Sequence, residues 1–165
     1  NPGMKIGVYP GTFDTITNGH VDLITRSLCL FDKVYVAVAS NPQKHPVFAL
    51  QERVEMVRVV TKDLPHVEVE AFHGLLVHFV HEHGAQAIIR GLRAVSDFEF
   101  ELQVALMNRN LDPNAETVFL MPSQEYIYLT STIIKEVACH GGNLVGLVHP
   151  EIARRLSTRL GKAAQ

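Results

Sequence analysis

The chain has 165 residues, 47% of them hydrophobic, and a formal net charge of -2. That is enough apolar material for one core-bearing domain, and too little positive charge for a global field that would hold nucleic acid. Cys29 and Cys139 are its only cysteines. They form no disulfide framework and read as reduced thiols of a cytoplasmic protein. No apolar run is long enough to span a bilayer and no signal-peptide pattern is present, so no membrane partner is expected. Asn1-Pro2-Gly3 reads as a cloning remnant ahead of a single domain from Met4 to Gln165.

Short apolar runs alternate with segments of helical period. Lys5 to Pro10 reads as a buried first strand, followed by a loop from Gly11 to Gly19. From His20 to Phe31, the residues Val21, Ile24, Leu28 and Phe31 share one helical face. Lys33 to Ala39 is β-branched and apolar on both faces, as a parallel strand is. Leu50 to Val60 reads as a helix with Leu50, Val54 and Val57 inward, and Val67 to Phe72 as a third strand. Leu75 to His83 reads as a short helix, and Ala85 to Arg90 as a fourth strand. Ser96-Asp97-Phe98-Glu99 has capping-box spacing and opens a helix to about Asn110. Thr117 to Met121 is the fifth strand. Helices follow from Thr132 to His140, stopped by Gly141-Gly142, and from Pro150 onward.

This alternation predicts a single α/β domain, a Rossmann-like five-stranded parallel sheet with helices on both faces. The common order places strand one beside strand four, where the winding reverses. Ligands in such sheets sit at the carboxyl ends of the flanking strands. The chemically distinctive residues fall there. Thr12, Phe13, Asp14, Thr17, Gly19 and His20 follow strand one, and Lys44 follows strand two. Arg90, Gly91, Leu92 and Arg93 end strand four, and Thr130 to Lys135 follows strand five. Lys44, Arg90, Arg93, Lys135 and His20 thus share a rim with helix amino termini, an environment for a polyanion such as a nucleoside triphosphate. Neither a P-loop nor a GxGxxG fingerprint is present. Gly19 allows close approach of a phosphate, and His20 can donate to it. On those residues alone, a helix cap with a surface histidine is the favoured reading, and Lys44 is equally well an ordinary loop lysine.

Tyr9-Pro10-Gly11-Thr12-Phe13-Asp14, Thr17-Asn18-Gly19-His20, Ile89-Arg90-Gly91-Leu92-Arg93, Asp97-Phe98-Glu99 and Thr130-Ser131-Thr132-Ile133-Ile134-Lys135 occur in this order. Together they closely resemble the bacterial phosphopantetheine adenylyltransferases, nucleotidyltransferases with an H/T-x-G-H signature. The resemblance runs from about Lys5 to the last helix. It implies transfer of AMP from ATP to 4'-phosphopantetheine. Thr12 and Lys44 would hold the substrate phosphate and the reacting phosphoryl group, and His20 would stabilise the transition state. Arg90 would bind the phosphopantetheine phosphate, while Leu76, Met107 and Asn108 would line the pantetheine arm. Thr12, Phe13, His20, Gly91, Leu92, Arg93, Glu101 and the loop Tyr126, Ile127, Tyr128, Leu129, Thr130, Ser131 and Thr132 would bind ATP. The resemblance further implies magnesium, carried mainly by the ATP phosphates rather than by protein ligands, and a homohexamer. The family usually has proline where this chain has Thr15. Phe100 stands where some relatives have tyrosine, and Gly74 where some have aspartate.

Three features carry blander readings. His78, His81 and His83 lack a four-ligand spacing and read as the wet side of a helix whose buried stripe is Leu75, Leu76, Phe79 and Val80. Arg154, Arg155 and Arg159 read as a solvated helix face, and Asp97 as a helix-start charge.

Overall fold

The elements follow the expected alternation. The computed structural model describes residues 3–161. Asn1, Pro2 and residues 162–165 of the expected boundaries lie outside it. In chain order the elements are β1 (Ile6–Gly11), α1 (Asn18–Ser27), β2 (Lys33–Ala39), α2 (Leu50–Thr61), β3 (Val67–Phe72) and α3 (Leu76–Glu82). Then come β4 (Ala87–Gly91), α4 (Val95–Leu111), β5 (Glu116–Leu120), α5 (Ser131–Cys139) and α6 (Pro150–Leu160), with short 3-10 turns at Pro42–Lys44 and Gln124–Tyr126. The five strands form one parallel sheet in the order β3-β2-β1-β4-β5, so β1 and β4 are neighbours at the winding reversal.

Because strand side chains alternate, the sheet buries a core on each face. On one face Tyr9, Val34, Val36, Val38 and Ile89 pack under α1, α2, α5 and α6. On the other, Val8, Ala37 and Ile88 meet Val77, Phe79 and Val80 of α3. The α3 stripe differs from the expected one: Val77 is buried and Leu75 is exposed, because the helix starts one residue later. His83 also departs from the expected wet side. It is half-buried, with its ring stacked on Phe79 at 3.8 Å and its Nε2 3.2 Å from Glu70.

Local chemistry sets the helix ends. Gly141 follows the last turn of α5 at φ +70°, and the N–H groups of Gly141 and Gly142 donate to the carbonyls of Ala138 and Val137. This is the paired bond pattern of a Schellman stop. Pro150 occupies the first turn of α6, where its missing N–H costs nothing. The start of α4 is a correction. Its N-cap is Ala94, with no side-chain acceptor, and the Ser96 side chain lies outside the described set. Asp97 is more than a helix-start charge, since it accepts from the backbone and the guanidinium of Arg93.

One buried side chain organises the carboxyl edge of the sheet. Arg53 of α2 is 1% exposed. Its guanidinium donates to the carbonyls of Phe48, Thr12, Ala39 and Ser40 at 2.7–3.0 Å. It thereby binds the loop after β1, the end of β2 and the start of α2 into one unit. The helical period gives no hint of it, because an arginine among Val54, Met56 and Val57 is not an apolar position.

Arg53→Met fills similar volume and strands those carbonyls without a donor. Loss of a buried charged group with its hydrogen bonds costs on the order of 3–5 kcal/mol. Urea unfolding of the variant is expected to show a loss of that size. A loss below about 1 kcal/mol would mean that the loops hold their positions without Arg53.

Candidate active site

The loops leaving β1 and β4 part above the sheet and open a cleft of about 580 Å³. This is the place where open parallel sheets bind ligands. Most of the sequence-derived candidates meet there. Thr12, Phe13 and His20 come from the first loop and α1, and Lys44 from the turn after β2. Arg90, Gly91 and Arg93 come from the end of β4, and Glu101 from α4. Tyr126, Leu129, Thr130, Ser131 and Thr132 close the far side. Leu92, Ile127 and Tyr128 stand next to lining residues without lining the cleft themselves. Leu76 packs on the opposite face of the sheet, with Met107 exposed and Asn108 half-buried on α4. The structure therefore does not bring these three into the cleft.

The Thr17-Asn18-Gly19-His20 segment explains its own geometry. Thr17 caps α1, and His20 at the third helical position returns the bond, closing a capping box with histidine in the place of the usual Glu or Gln. The Thr17 N–H donates to His20 Nδ1 at 3.0 Å, and the Thr17 hydroxyl lies 3.2 Å from the same nitrogen. An Nδ1 that accepts leaves the proton of the neutral ring on Nε2. Burial, aided by repulsion from Arg93, lowers the His20 pKa from 6.5 to about 4. The imidazole is thus a neutral donor at pH 7. Its ring stands edge-on to Phe13 at 5.1 Å, and Phe13 in turn meets Tyr9 at 5.5 Å. Phe13 is buried in the left-handed region at φ +52°, an uncommon state for a bulky residue and one found at built sites. Gly19 is buried against Tyr126, with 3.4 Å between a Cβ placed there and the Tyr126 Cβ. Its smallness serves helix-to-loop packing as well as ligand approach. At Gly91 the need is sharper: a Cβ would lie 2.5 Å from Leu23 Cδ1, where β4 passes α1.

The cations are held in distinct ways. Arg90 makes a two-pronged bond to Glu101, with Nε and Nη2 each 2.7 Å from a carboxylate oxygen. Such a fork fixes the plane of the guanidinium and leaves Nη1 for another acceptor. Arg93 is tied to Asp97 and to the Leu129 carbonyl. Lys44 is exposed on its 3-10 turn. Asp14, 4% exposed, accepts from the N–H groups of Val47 and Phe48 and from Lys135 Nζ at 3.2 Å. The Thr15 carbonyl accepts from the Ser131 hydroxyl at 2.7 Å. The fully buried Thr15 hydroxyl has no partner among the described residues.

Residues 8–137 match the Cytidylyltransferase-like family. Two curated relatives named phosphopantetheine adenylyltransferase each share 54% identity with the chain. One, from Thiobacillus denitrificans, aligns over 95% of this chain and 98% of its own length. The other, from Moorella thermoacetica, aligns over 96% and 99%. The chain belongs to the phosphopantetheine adenylyltransferase family. Distant solved structures share the fold. A nicotinate-nucleotide adenylyltransferase structure from Vibrio parahaemolyticus superposes with a TM-score of 0.69 at 17% identity, covering 98% of this chain and 96% of that one. A lipopolysaccharide core biosynthesis protein from Thermoplasma volcanium superposes with 0.56 at 22% identity, covering 74% and 100%.

Sequence reasoning left Tyr9, Asp14 and Arg53, among the lining and supporting residues, without a role. Asp14 stood inside a motif, so a signal was present. Tyr9 was read as a strand residue at the head of the same motif, and it lines the cleft. Burial, against the pull of Arg90 and Arg93, raises its phenol pKa above the usual value, so it remains protonated.

The depressed pKa of His20 makes stability depend on pH. Between 6.5 and about 4 the unfolded chain takes up a proton that the folded chain refuses. Stability is therefore full above the unfolded value and falls as the pH drops through that window. Imidazole NMR is expected to give a His20 midpoint near 4. Relative to His20→Asn, the native chain should lose on the order of 2–3 kcal/mol between about pH 7 and 4.5. A midpoint at the ordinary 6.5 would contradict the burial assigned to this ring.

Proposed function

We propose that the chain transfers the adenylyl group of ATP to the phosphate of 4'-phosphopantetheine, releasing dephospho-coenzyme A and pyrophosphate. The observation that carries this reading is His20, a neutral Nε2–H donor among cationic side chains at the strand-switch cleft. The names of the two 54%-identical relatives support the choice of acceptor.

A phosphate monoester oxygen is already a nucleophile, so the reaction needs alignment and charge neutralisation rather than a general base. The acceptor oxygen forms a bond to the α-phosphorus. The bond from that phosphorus to the bridging oxygen breaks, and pyrophosphate leaves with the electron pair. Thr12 and Lys44 hold the acceptor phosphate and the reacting phosphoryl group. Arg90, its plane set by Glu101, offers Nη1 to the acceptor phosphate. His20 donates from Nε2 to the α-phosphate oxygen, where negative charge grows during attack. Phe13, Gly91 to Arg93, Glu101 and Tyr126 to Thr132 form the ATP side. The pantetheine arm would leave the cleft, and Leu76, Met107 and Asn108, which the resemblance assigns to it, lie outside the cleft of this chain.

Magnesium is part of this proposal. The cleft carboxylates Asp14 and Glu101 are engaged by Lys135, two backbone N–H groups and Arg90. That donor set suits a cation held by ATP phosphates and water. When bound, magnesium neutralises phosphate charge. The proposal also includes a cytoplasmic location, supported by free thiols at Cys29 and Cys139. Among the described residues, no helix is long and apolar enough to cross a membrane. It includes a homohexamer as well. Exposed Phe98, Phe100, Leu106 and Met107 on α4 support burial against other copies, and the number six comes from the resemblance alone.

Pyrophosphate release from Mg-ATP tests the reading, with phosphopantetheine and nicotinamide mononucleotide as rival acceptors. Phosphopantetheine is expected to support faster turnover than the mononucleotide, and pantetheine without its phosphate to fall short by about 10⁴-fold, as in sites built around a polar substrate group. His20→Ala should lower kcat about a hundredfold with little change in KM for ATP. Equal rates with both acceptors would overturn the choice of acceptor, and near-normal turnover of the variant would remove His20 from the chemistry.

A further inference from the structure

One wall of the cleft is the loop from Met121 to Thr130, between β5 and α5, and its two ends are anchored separately. At the α5 end, Leu129 is buried in the core, the Thr130 side chain caps the helix, and the Ser131 hydroxyl donates to the Thr15 carbonyl. At the β5 end the anchor is Ser123, and its partners lie on α1. The Ser123 N–H donates to Asp22 Oδ2 at 2.9 Å, and its hydroxyl to Asp22 Oδ1 at 3.0 Å. Arg26 closes the triangle, with Nε donating to Asp22 Oδ2 at 3.1 Å and Nη2 to the Ser123 hydroxyl at 2.6 Å. An exposed Asp–Arg pair one helical turn apart is by itself a solvated face of small energy. Asp22 is placed otherwise. Its side chain is 18% exposed, and both its oxygens are turned to a residue 101 positions away. Burial pushes its carboxyl up, yet the bonds from Ser123 and Arg26 hold it below its ordinary value.

Where Ser123 is held decides where the wall stands. Its carbonyl accepts from the Tyr126 N–H at 2.9 Å, so Ser123 opens the 3-10 turn that brings Tyr126 to the cleft. Gly19, Asp22 and Arg26 share one side of α1 by their spacing, and Tyr126 rests on Gly19. His20 and Leu23 of the same helix line the cleft. One carboxylate thus ties the wall to the helix that carries His20. Asp22, Arg26 and Ser123 line no part of the cleft themselves, so they act through the loop rather than on a ligand.

We propose that Asp22 is a positioning residue for nucleotide binding: through Ser123 it sets the Tyr126 wall at the spacing from His20 that ATP requires, and Arg26 orients the carboxylate and the hydroxyl. The inference rests on the adenylyl-transfer reading, which puts ATP on the Tyr126 to Thr132 side. Its test stands apart, because Mg-ATP binding needs no acceptor. Isothermal titration with Mg-ATP, steady-state KM values and amide hydrogen exchange are compared in the native chain, D22A, S123A and S123T. D22A is expected to raise the Kd and KM for ATP about tenfold or more, with KM for phosphopantetheine within about twofold. Exchange of the Ser123 and Tyr126 amides should speed up at least about tenfold, with the α2 amides unchanged. S123T, which keeps the hydroxyl, should bind ATP more tightly than S123A. The D22A/S123A double variant should be no weaker than D22A, since the two side chains work as one unit. A purely structural role would lower the unfolding midpoint of D22A and leave its ATP affinity within about twofold, and that result overturns the proposal. An equal rise in KM for both substrates overturns it too. If D22A does not fold, S123A and S123T decide the matter, and equal ATP affinity in those two is the contradicting result. A native chain that binds Mg-ATP yet adenylylates no phosphopantetheine sinks the acceptor reading and leaves the role of Asp22 in place.

Discussion

Four backbone carbonyls that converge on one buried guanidinium hold the working edge of this protein together. Arg53 links the Thr12 carbonyl to those of Ala39, Ser40 and Phe48. Asp14 completes the frame by accepting from the next two amides of the same loop, Val47 and Phe48. Thr12 and Lys44 come from different strand ends and can serve one anion only if those ends keep their spacing. A buried charge is costly unless its donors are met, and here four of the five guanidinium N–H donors meet backbone carbonyls. The cost of burying Arg53 is thus offset at the place where loop geometry matters most.

The same economy governs the charges in the cleft. The chain is nearly neutral, with a net charge of -2, yet its cations gather where the sheet reverses its winding. Each arginine is braced by a carboxylate, Arg90 by Glu101 and Arg93 by Asp97. His20 stays neutral because it is desolvated and because Thr17 occupies its Nδ1. A neutral histidine adds a directional donor without adding ground-state charge. It therefore acts most where charge appears during the reaction.

Most of the fold was legible in the sequence because strand and helix periods are local. β2 and β3 begin and end where the apolar pattern says, and Pro150 and Gly141 mark helix ends by their own backbone chemistry. The winding reversal followed from alternation together with the commonest strand order of such sheets, and it placed Thr12, His20, Lys44 and Arg90 around one cleft. What escaped was tertiary. Arg53 sits on an otherwise apolar helix face and declares itself only through carbonyls up to 41 positions away in sequence. Asp97 looked like a helix-start charge until Arg93 closed on it. His83 looked solvated because its stacking partners, Phe79 and Tyr35, come from a neighbouring turn and a distant strand. The α4 cap was misplaced by two residues because Ala94 offers no capping side chain to read.

The central claim is that this cleft aligns an acceptor phosphate oxygen for attack on the α-phosphorus of ATP. Turnover of phosphopantetheine carrying ¹⁸O in its phosphate tests it most directly, with ³¹P NMR of the dephospho-coenzyme A formed. The account predicts ¹⁸O in the bridge between the two phosphorus atoms, because the acceptor supplies the bridging oxygen. An unlabelled bridge would mean that an oxygen of the nucleotide attacked the acceptor phosphorus, and would contradict the roles given to His20, Lys44 and Arg90.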